Sequence, residues 1–296
     1  EGKGESSNLE LLNSKSFVGI NWEKTIYIGA LLSVAIAVAM VLYNNVTQVI
    51  FGIVGIITIA YILFVASIEE HKPMQMLWAA LTMIIFSTLF WAFYEQGGGS
   101  LNLFADRNVN LHGMSAAEVN NNINSTIIVL ISGLFAAMWV WLAKRGKEPS
   151  TGMKFSLAFF QLGLGFLVFV IGGYFAGVTA KTSLTSFVLG YFLLTTGELC
   201  LSPIGLSMIT KLSPPKFTGM MMGFWFLASA LGQHLAGVIG TLMAIPSEGG
   251  ATTVSAVESL AIYSGVFMKI FYVSLGGGLV LLLLVPILKR WMGAVK

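Results

Sequence analysis

Long apolar runs separated by short polar breaks dominate the chain. Eight of them fall at roughly 25–43, 46–67, 73–95, 125–143, 153–176, 185–210, 217–243 and 259–288. A helix rises about 1.5 Å per residue and needs about 20 mostly apolar residues to cross a hydrocarbon core of about 30 Å. Each run is long enough. Backbone polar groups inside a bilayer must bond within their own segment, so these runs predict eight transmembrane helices. The ten-residue alternation of a membrane barrel is absent from the sequence. The first two runs are joined only by Asn44-Asn45 and hold no ionisable group between Thr25 and Ile68. They predict a peripheral hairpin rather than a pair lining a pathway.

The breaks carry the topology. An even number of spans puts both ends on one side, and cytoplasmic loops attract Lys and Arg. With the ends inside, the inner segments hold thirteen of the sixteen basic residues, among them Lys72, Lys144, Arg145, Lys147, Lys154, Lys211, Lys289 and Arg290. The outer loops then keep only Arg107 and Lys181, with Lys269 inside the last span. Both ends are therefore expected to be cytoplasmic. The stretches 97–124 and 244–257 read as outer loops, the first long and polar, the second marked by Pro246, Gly249 and Gly250.

Composition agrees with that pattern. Of 296 residues, 56% are apolar and only 10% charged, against about 25% charged in a soluble chain. A mean hydropathy of +0.84 argues against a soluble enzyme, a disordered regulator or a nucleic-acid binder. The net charge of +3 adds little. One cysteine, Cys200, excludes an internal disulfide and any multi-cysteine metal site. The chain starts at Glu1 without a signal-peptide pattern, which reads as a fragment or a domain cut.

Charged groups inside spans cost roughly 2.5–3.5 kcal/mol each and commonly mark function. Glu198 lies near the middle of its span, in Thr195-Thr196-Gly197-Glu198, five residues before Pro203. It reads as a proton carrier or as a carboxylate for a cationic substrate group; the plainer alternative is a structural ion pair. Proline frees backbone carbonyls, which suits a moving or binding element. Ser202 follows Glu198 one turn later on the same face. Glu95 closes the aromatic run Phe90-Trp91-Ala92-Phe93-Tyr94, with Trp91 four residues before it; an interfacial aromatic belt is the alternative. His234 reads as a packing histidine with a proton role as the rival, and Lys269 stays open. HExxH, GxxxxGK[ST] and GxSxG are all missing, and no nucleophile–base pair suggests an intramembrane hydrolase.

Four blocks together resemble one family. They are Phe90 to Asp106 (FWAFYEQGGGSLNLFAD), Trp141 to Ser150 running into Lys154-Phe155, Gly197 to Ser207 (GELCLSPIGLS), and Gly219 to Phe226 followed by Leu235-Ala236-Gly237. In order and spacing they are similar to the proton-coupled oligopeptide transporters of the major facilitator superfamily. The resemblance covers essentially the whole chain, but only the C-terminal half of the family pattern. It implies an all-α membrane protein: a six-helix C-terminal bundle of a major facilitator fold, preceded by a two-helix linker hairpin. The implied divisions are 1–24 as a cytoplasmic linker, 25–67 as the additional hairpin and 68–296 as the bundle. The charged first-helix motif of the family is nowhere in the chain.

The resemblance also implies roles. Glu95 matches a helix-seven acid tied to proton coupling. Glu198 matches a helix-ten acid that holds a peptide's terminal ammonium and takes part in gating. Asn124 looks like a helix-eight asparagine that binds the same ammonium, although Ser125 stands where the family usually has proline. Trp91, Trp225 and Phe226 match aromatics that shape side-chain pockets. Ser202 and Ser229 fit polar wall positions, while Gln233-His234 departs from the commoner small-polar pair. The implied function is proton-driven uptake of di- and tripeptides by alternating access. No cofactor is expected beyond the proton gradient. The expected partners are peptides, protons, the bilayer and an N-terminal bundle, in a bacterial inner membrane. The alternatives are a carrier of the same fold for nitrate or a peptide-like drug, and a non-transporting membrane interaction module.

Overall fold

The computed structural model describes residues 9–68, 71–245, 247–248, 251–252 and 254–293. The chain divides into two compact units, Glu1–Ile56 and Ile57–Lys296.

The first unit holds α1 (Leu9–Asn13), α2 (Trp22–Leu42) and the start of α3 (Asn44–Ile68). An isolated antiparallel bridge between Lys15 and Asn21 precedes α2. The α2–α3 break is confined to Tyr43. There the Thr47 hydroxyl donates to the carbonyls of Met40 (2.6 Å) and Tyr43 (3.2 Å), satisfying groups that the end of α2 leaves open. No residue of α2 is buried.

The second unit is helical throughout its core. It contains α4 (His71–Tyr94), α5 (Ser100–Asn108), α6 (Ala116–Lys144), α7 (Thr151–Tyr174), α8 (Leu184–Leu212), α9 (Thr218–Thr241) and α10 (Ala256–Met292). Two-residue strands β1 (Ser247–Glu248) and β2 (Ala251–Thr252) pair in the connection before α10. The end of α3 joins this unit through Thr58, Ile62 and Val65, which are buried. Tyr61 meets Phe217 and Phe224 edge-on.

Seven helices among the described residues are long and apolar enough to cross a membrane; the shorter apolar stretch Gly52–Val65 lies in α3. The architecture is all-α with multiple spans, as the hydropathy predicts, and the count differs by one from the expected eight.

The core sits where α7 lies along both α8 and α10. Phe169 is 2% exposed, and its ring meets Phe104, Phe166, Phe187, Tyr191 and Phe267 at centroid distances of 5.6 to 6.2 Å. Such edge-on and tilted pairs combine dispersion with ring quadrupoles. The seam is close because α8 has a glycine there. A Cβ on Gly190 would collide with the Phe169 ring.

One sequence expectation needs correcting. The stretch 97–124 is not a loop: α4 continues through a 3₁₀ turn (Glu95–Gly98) into α5, and α6 begins at Ala116. The polar residues that suggested a loop are the groups that end and join helices. Ser115 and Glu118 form a capping box at the start of α6. Asn108 is fully buried. Its amide donates to the carbonyls of Ala180 (3.0 Å) and Ala256 (2.9 Å) and accepts from the Ser259 hydroxyl (2.7 Å). Asp106 and Arg107 are helix-end groups, and Arg107 donates to the Tyr263 hydroxyl at 3.3 Å. Helix α8 runs through Pro203 without interruption, in line with the single span expected over 185–210.

Candidate functional site

Three helices converge on Glu198. Tyr94, the last residue of α4, has its ring stacked on Phe90 (5.6 Å, 18°) and edge-on to Trp91 (5.3 Å). Those contacts fix its direction. Its hydroxyl contacts a Glu198 carboxylate oxygen on α8 and the Asn124 side-chain oxygen on α6, the latter at 3.0 Å. Thr195, one turn before Glu198, donates to the same Asn124 oxygen at 2.8 Å. Asn120, one turn before Asn124, donates to the Gly97 carbonyl at 2.6 Å and accepts from the Tyr191 hydroxyl. Polar side chains at 120 and 124 on α6, and at 191, 195 and 198 on α8, therefore share facing stripes, as helical spacing requires.

Beside this network lies a cavity of about 170 Å³, lined by Tyr94, Glu95, Asn120, Asn124 and Tyr191 among others. Glu198 meets it through Tyr94. Glu95, in the 3₁₀ turn, accepts from the Gln233 amide of α9 at 3.3 Å. The next residue, Gln96, is buried and ties the turn down. Its amide donates to the Ala92 and Ala236 carbonyls, and its oxygen accepts from Ser100. On the other side, α4 and α9 touch closely: a Cβ on Gly232 would stand 2.5 Å from Trp91 Cβ and 2.8 Å from the Thr88 carbonyl. Among the described residues neither Glu95 nor Glu198 has an ion-pair partner, and no cluster of His, Cys, Asp and Glu could hold a metal.

The site residues expected from sequence separate into two groups. Glu95, Asn124 and Glu198 come together. Trp91 stands behind Tyr94, with its indole N–H buried and lacking an acceptor among the described residues. Trp225 is placed differently: it is 4% exposed and packs on Phe155 and over Gly205, so it presents no open face to a ligand in this arrangement. Phe226, its neighbour, is 58% exposed. Ser202 and Ser229 are half-buried and outside the cavity lining. Lys269 is exposed on α10. Sequence reasoning missed Tyr94, Thr195, Asn120 and Tyr191; the last three carried a signal, a polar stripe at i, i+4 and i+7 on α8 (191, 195, 198) and at i and i+4 on α6 (120, 124).

The POT family profile matches residues 38–255. The chain belongs to the POT family. Relatives include dipeptide and tripeptide permease B of Salmonella typhimurium, 34% identical over 72% of this chain and 44% of that protein. Another is the uncharacterized transporter YclF of Bacillus subtilis, 33% identical over 96% of this chain and 55% of that one. A crystal structure of a peptide transporter POT with sulfate superposes with a TM-score of 0.71 at 29% identity, covering 91% of this chain and 54% of the other. A second structure, from work on substrate recognition in proton dependent oligopeptide transporters, gives 0.75 at 26% identity over 95% and 58%. The chain spans about half the length of the curated relatives it matches. It is thus a multi-pass membrane protein with the helical architecture of POT transporters, and its relatives are transporters rather than enzymes.

Proposed function

We propose that this chain supplies the C-terminal half of a proton-driven symporter for di- and tripeptides. The observation that carries the reading is Glu198: a half-buried carboxylate without an ion-pair partner among the described residues, in contact with a network that ends on the Asn124 oxygen. A carboxylate and an amide oxygen side by side are acceptors for the terminal ammonium of a peptide, and they repel an anion such as nitrate. The relatives named as dipeptide and tripeptide permeases support that choice of substrate.

Glu95 and Glu198 are the proton-coupling groups in this reading, and Asn124 and Phe226 the substrate-facing ones, with Trp91, Ser202, Ser229 and Trp225 joining only after rearrangement. Residues 68–296 act as the bundle, 25–67 as an added helix pair and 1–24 as a linker. Both ends lie on the cytoplasmic side of a bacterial inner membrane, following the distribution of basic residues. The open faces of α6 and α9 receive an N-terminal bundle, and the two bundles rock about a midplane site. The proton gradient drives the cycle without a cofactor.

The test is Glu198→Gln in the intact transporter, reconstituted in proteoliposomes. Proton-driven dialanine uptake is expected to vanish. Uptake at the wild-type rate would end the proposal.

A further inference from the structure

Tyr94 occupies the point where a proton on Glu198 is felt by Asn124, and the hydrogen count there has a consequence. Three oxygens stand in sequence: Glu198 Oε2, Tyr94 Oη and Asn124 Oδ1. An amide oxygen has two acceptor positions. One of those on Asn124 is already taken by the Thr195 hydroxyl.

With Glu198 ionised, the only hydrogen among the three oxygens is the one on Tyr94, and the carboxylate is its stronger acceptor. Tyr94 then donates to Glu198. The second position on Asn124 stays open, and an ammonium can donate to it and to the carboxylate together. With a proton on Oε2, there are two hydrogens. Glu198 donates to Tyr94, and Tyr94 turns its own hydrogen to Asn124. Both positions on Asn124 are now filled, by Tyr94 and Thr195, and the carboxyl is neutral. An ammonium, which has donors only, then finds Asn124 closed and is left with the neutral carbonyl oxygen of Glu198, a weaker acceptor than the carboxylate.

We propose that Tyr94 is a positioning residue that reads the protonation of Glu198 and opens or closes Asn124 accordingly, so that a proton on Glu198 and a peptide amino terminus compete at this site. The inference rests on the proposed function and adds a mechanism to it.

The surroundings permit this. The titratable and charged groups near Glu198 are Tyr94 and Glu95 at the end of α4, and Tyr191 and Cys200 on α8 itself. Lys154 of α7 acts on Cys200, and His234 of α9 adjoins the Gln233 that bonds Glu95. From α6 the contact is the neutral Asn124. Phe90 and Trp91 hold the Tyr94 ring, so its hydroxyl can exchange partners without the ring moving.

The experiment compares dialanine binding by the purified intact transporter at about pH 5 and about pH 7, without a gradient. The readout is the ratio of the two Kd values. Tyr94→Phe keeps the ring and removes the relay. Thr195→Val keeps the relay but leaves one Asn124 position open in both protonation states. Both variants are expected to reduce the ratio, by about fivefold, the worth of one net hydrogen bond. A purely structural role for Tyr94 would weaken binding equally at both pH values and would give Thr195→Val no effect on the ratio. A wild-type ratio in either folded variant overturns the relay. Should Tyr94→Phe fail to fold, Thr195→Val decides alone. Glu198→Gln separates the two claims: if it abolishes proton-driven uptake while the ratios stay wild-type, the relay fails and the symporter reading stands; if it transports normally, the symporter reading fails.

Discussion

Helices α6 and α7 are neighbours in sequence and equally apolar, yet over half of the apolar window of α7 is buried and almost none of that of α6. The difference lies in which side chains occupy the faces. Along α7, Gly163 and Gly173 let α10 approach, and Gly165 meets α8, while Phe155, Phe159, Phe166 and Phe169 fill the spaces between. Lipid is as apolar as a core, so small residues and shape, rather than hydropathy, decide which membrane helices pack. Along α6 the N-terminal half is tied to α8 and to the 3₁₀ turn by Asn120 and Asn124. From residue 129 onward it shows Val129, Leu130, Leu134 and Val140 to the outside, all more than half exposed. One helix is committed to this bundle. The other is held at one end by polar groups that belong to the candidate site, an arrangement suited to a helix that must also face a ligand or a second bundle.

The sharpest way to break that contrast is to remove a ring from the committed side. Phe169→Ala empties a space bounded by five aromatic rings. Such a deletion costs about 3–5 kcal/mol when the surroundings cannot collapse. Thermal unfolding of the intact protein in detergent should show a large drop in midpoint. A change no bigger than that of a substitution on α6 would mean that α7 is not the anchor.

A smaller effect is expected where the C-terminal end of α6 does touch the committed side. Lys154 of α7 is 8% exposed, pairs with Glu148 at 2.6 Å and lies over the Trp139 ring of α6 at 4.6 Å. Removing one partner of a buried pair costs about 3–5 kcal/mol. Glu148 is 41% exposed, and solvent reaches the pair from that side. Glu148→Gln should therefore cost about 1–3 kcal/mol. Glu148→Asp, which keeps the charge, should recover part of it. An unchanged melting midpoint in Glu148→Gln would show that the cation–π contact alone holds Lys154.

How much of this was legible beforehand depends on the force concerned. The spans were legible because crossing hydrocarbon demands length and apolarity, and both are local properties. Family membership was legible in contiguous blocks such as GELCLSPIGLS. The extent of α5 and the true start of α6 were not, because asparagine favours loops and helix ends when taken alone. Asn108 and Asn120 hold their helical places through partners 71 to 148 residues away in sequence. The same holds at the site. Glu198 stood out as a charge in a span, whereas Tyr94 looked like one aromatic among several. Its role exists only because Asn124 and Glu198 meet it from two other helices. Trp225 shows the converse: an aromatic in a recognisable block, yet buried against Gly205 by a packing choice that spacing does not encode.

The smallest effect on stability, and the one that most sharpens the contrast, concerns Gly133 at the exposed middle of α6. A Cβ there meets nothing within 4 Å. Gly133→Leu should therefore change the folding of this bundle by no more than about 1 kcal/mol, on the stabilising side expected when a helical glycine is replaced at an exposed position. If α6 faces only lipid at this point, uptake in proteoliposomes should also be untouched. If a second bundle closes against it during transport, a leucine at this position obstructs the approach, and uptake falls while the melting midpoint holds. Loss of uptake with intact folding would identify the bare face of α6 as a working surface. Unchanged uptake would assign it to lipid, and the proposed rocking of two bundles would then need a different contact surface.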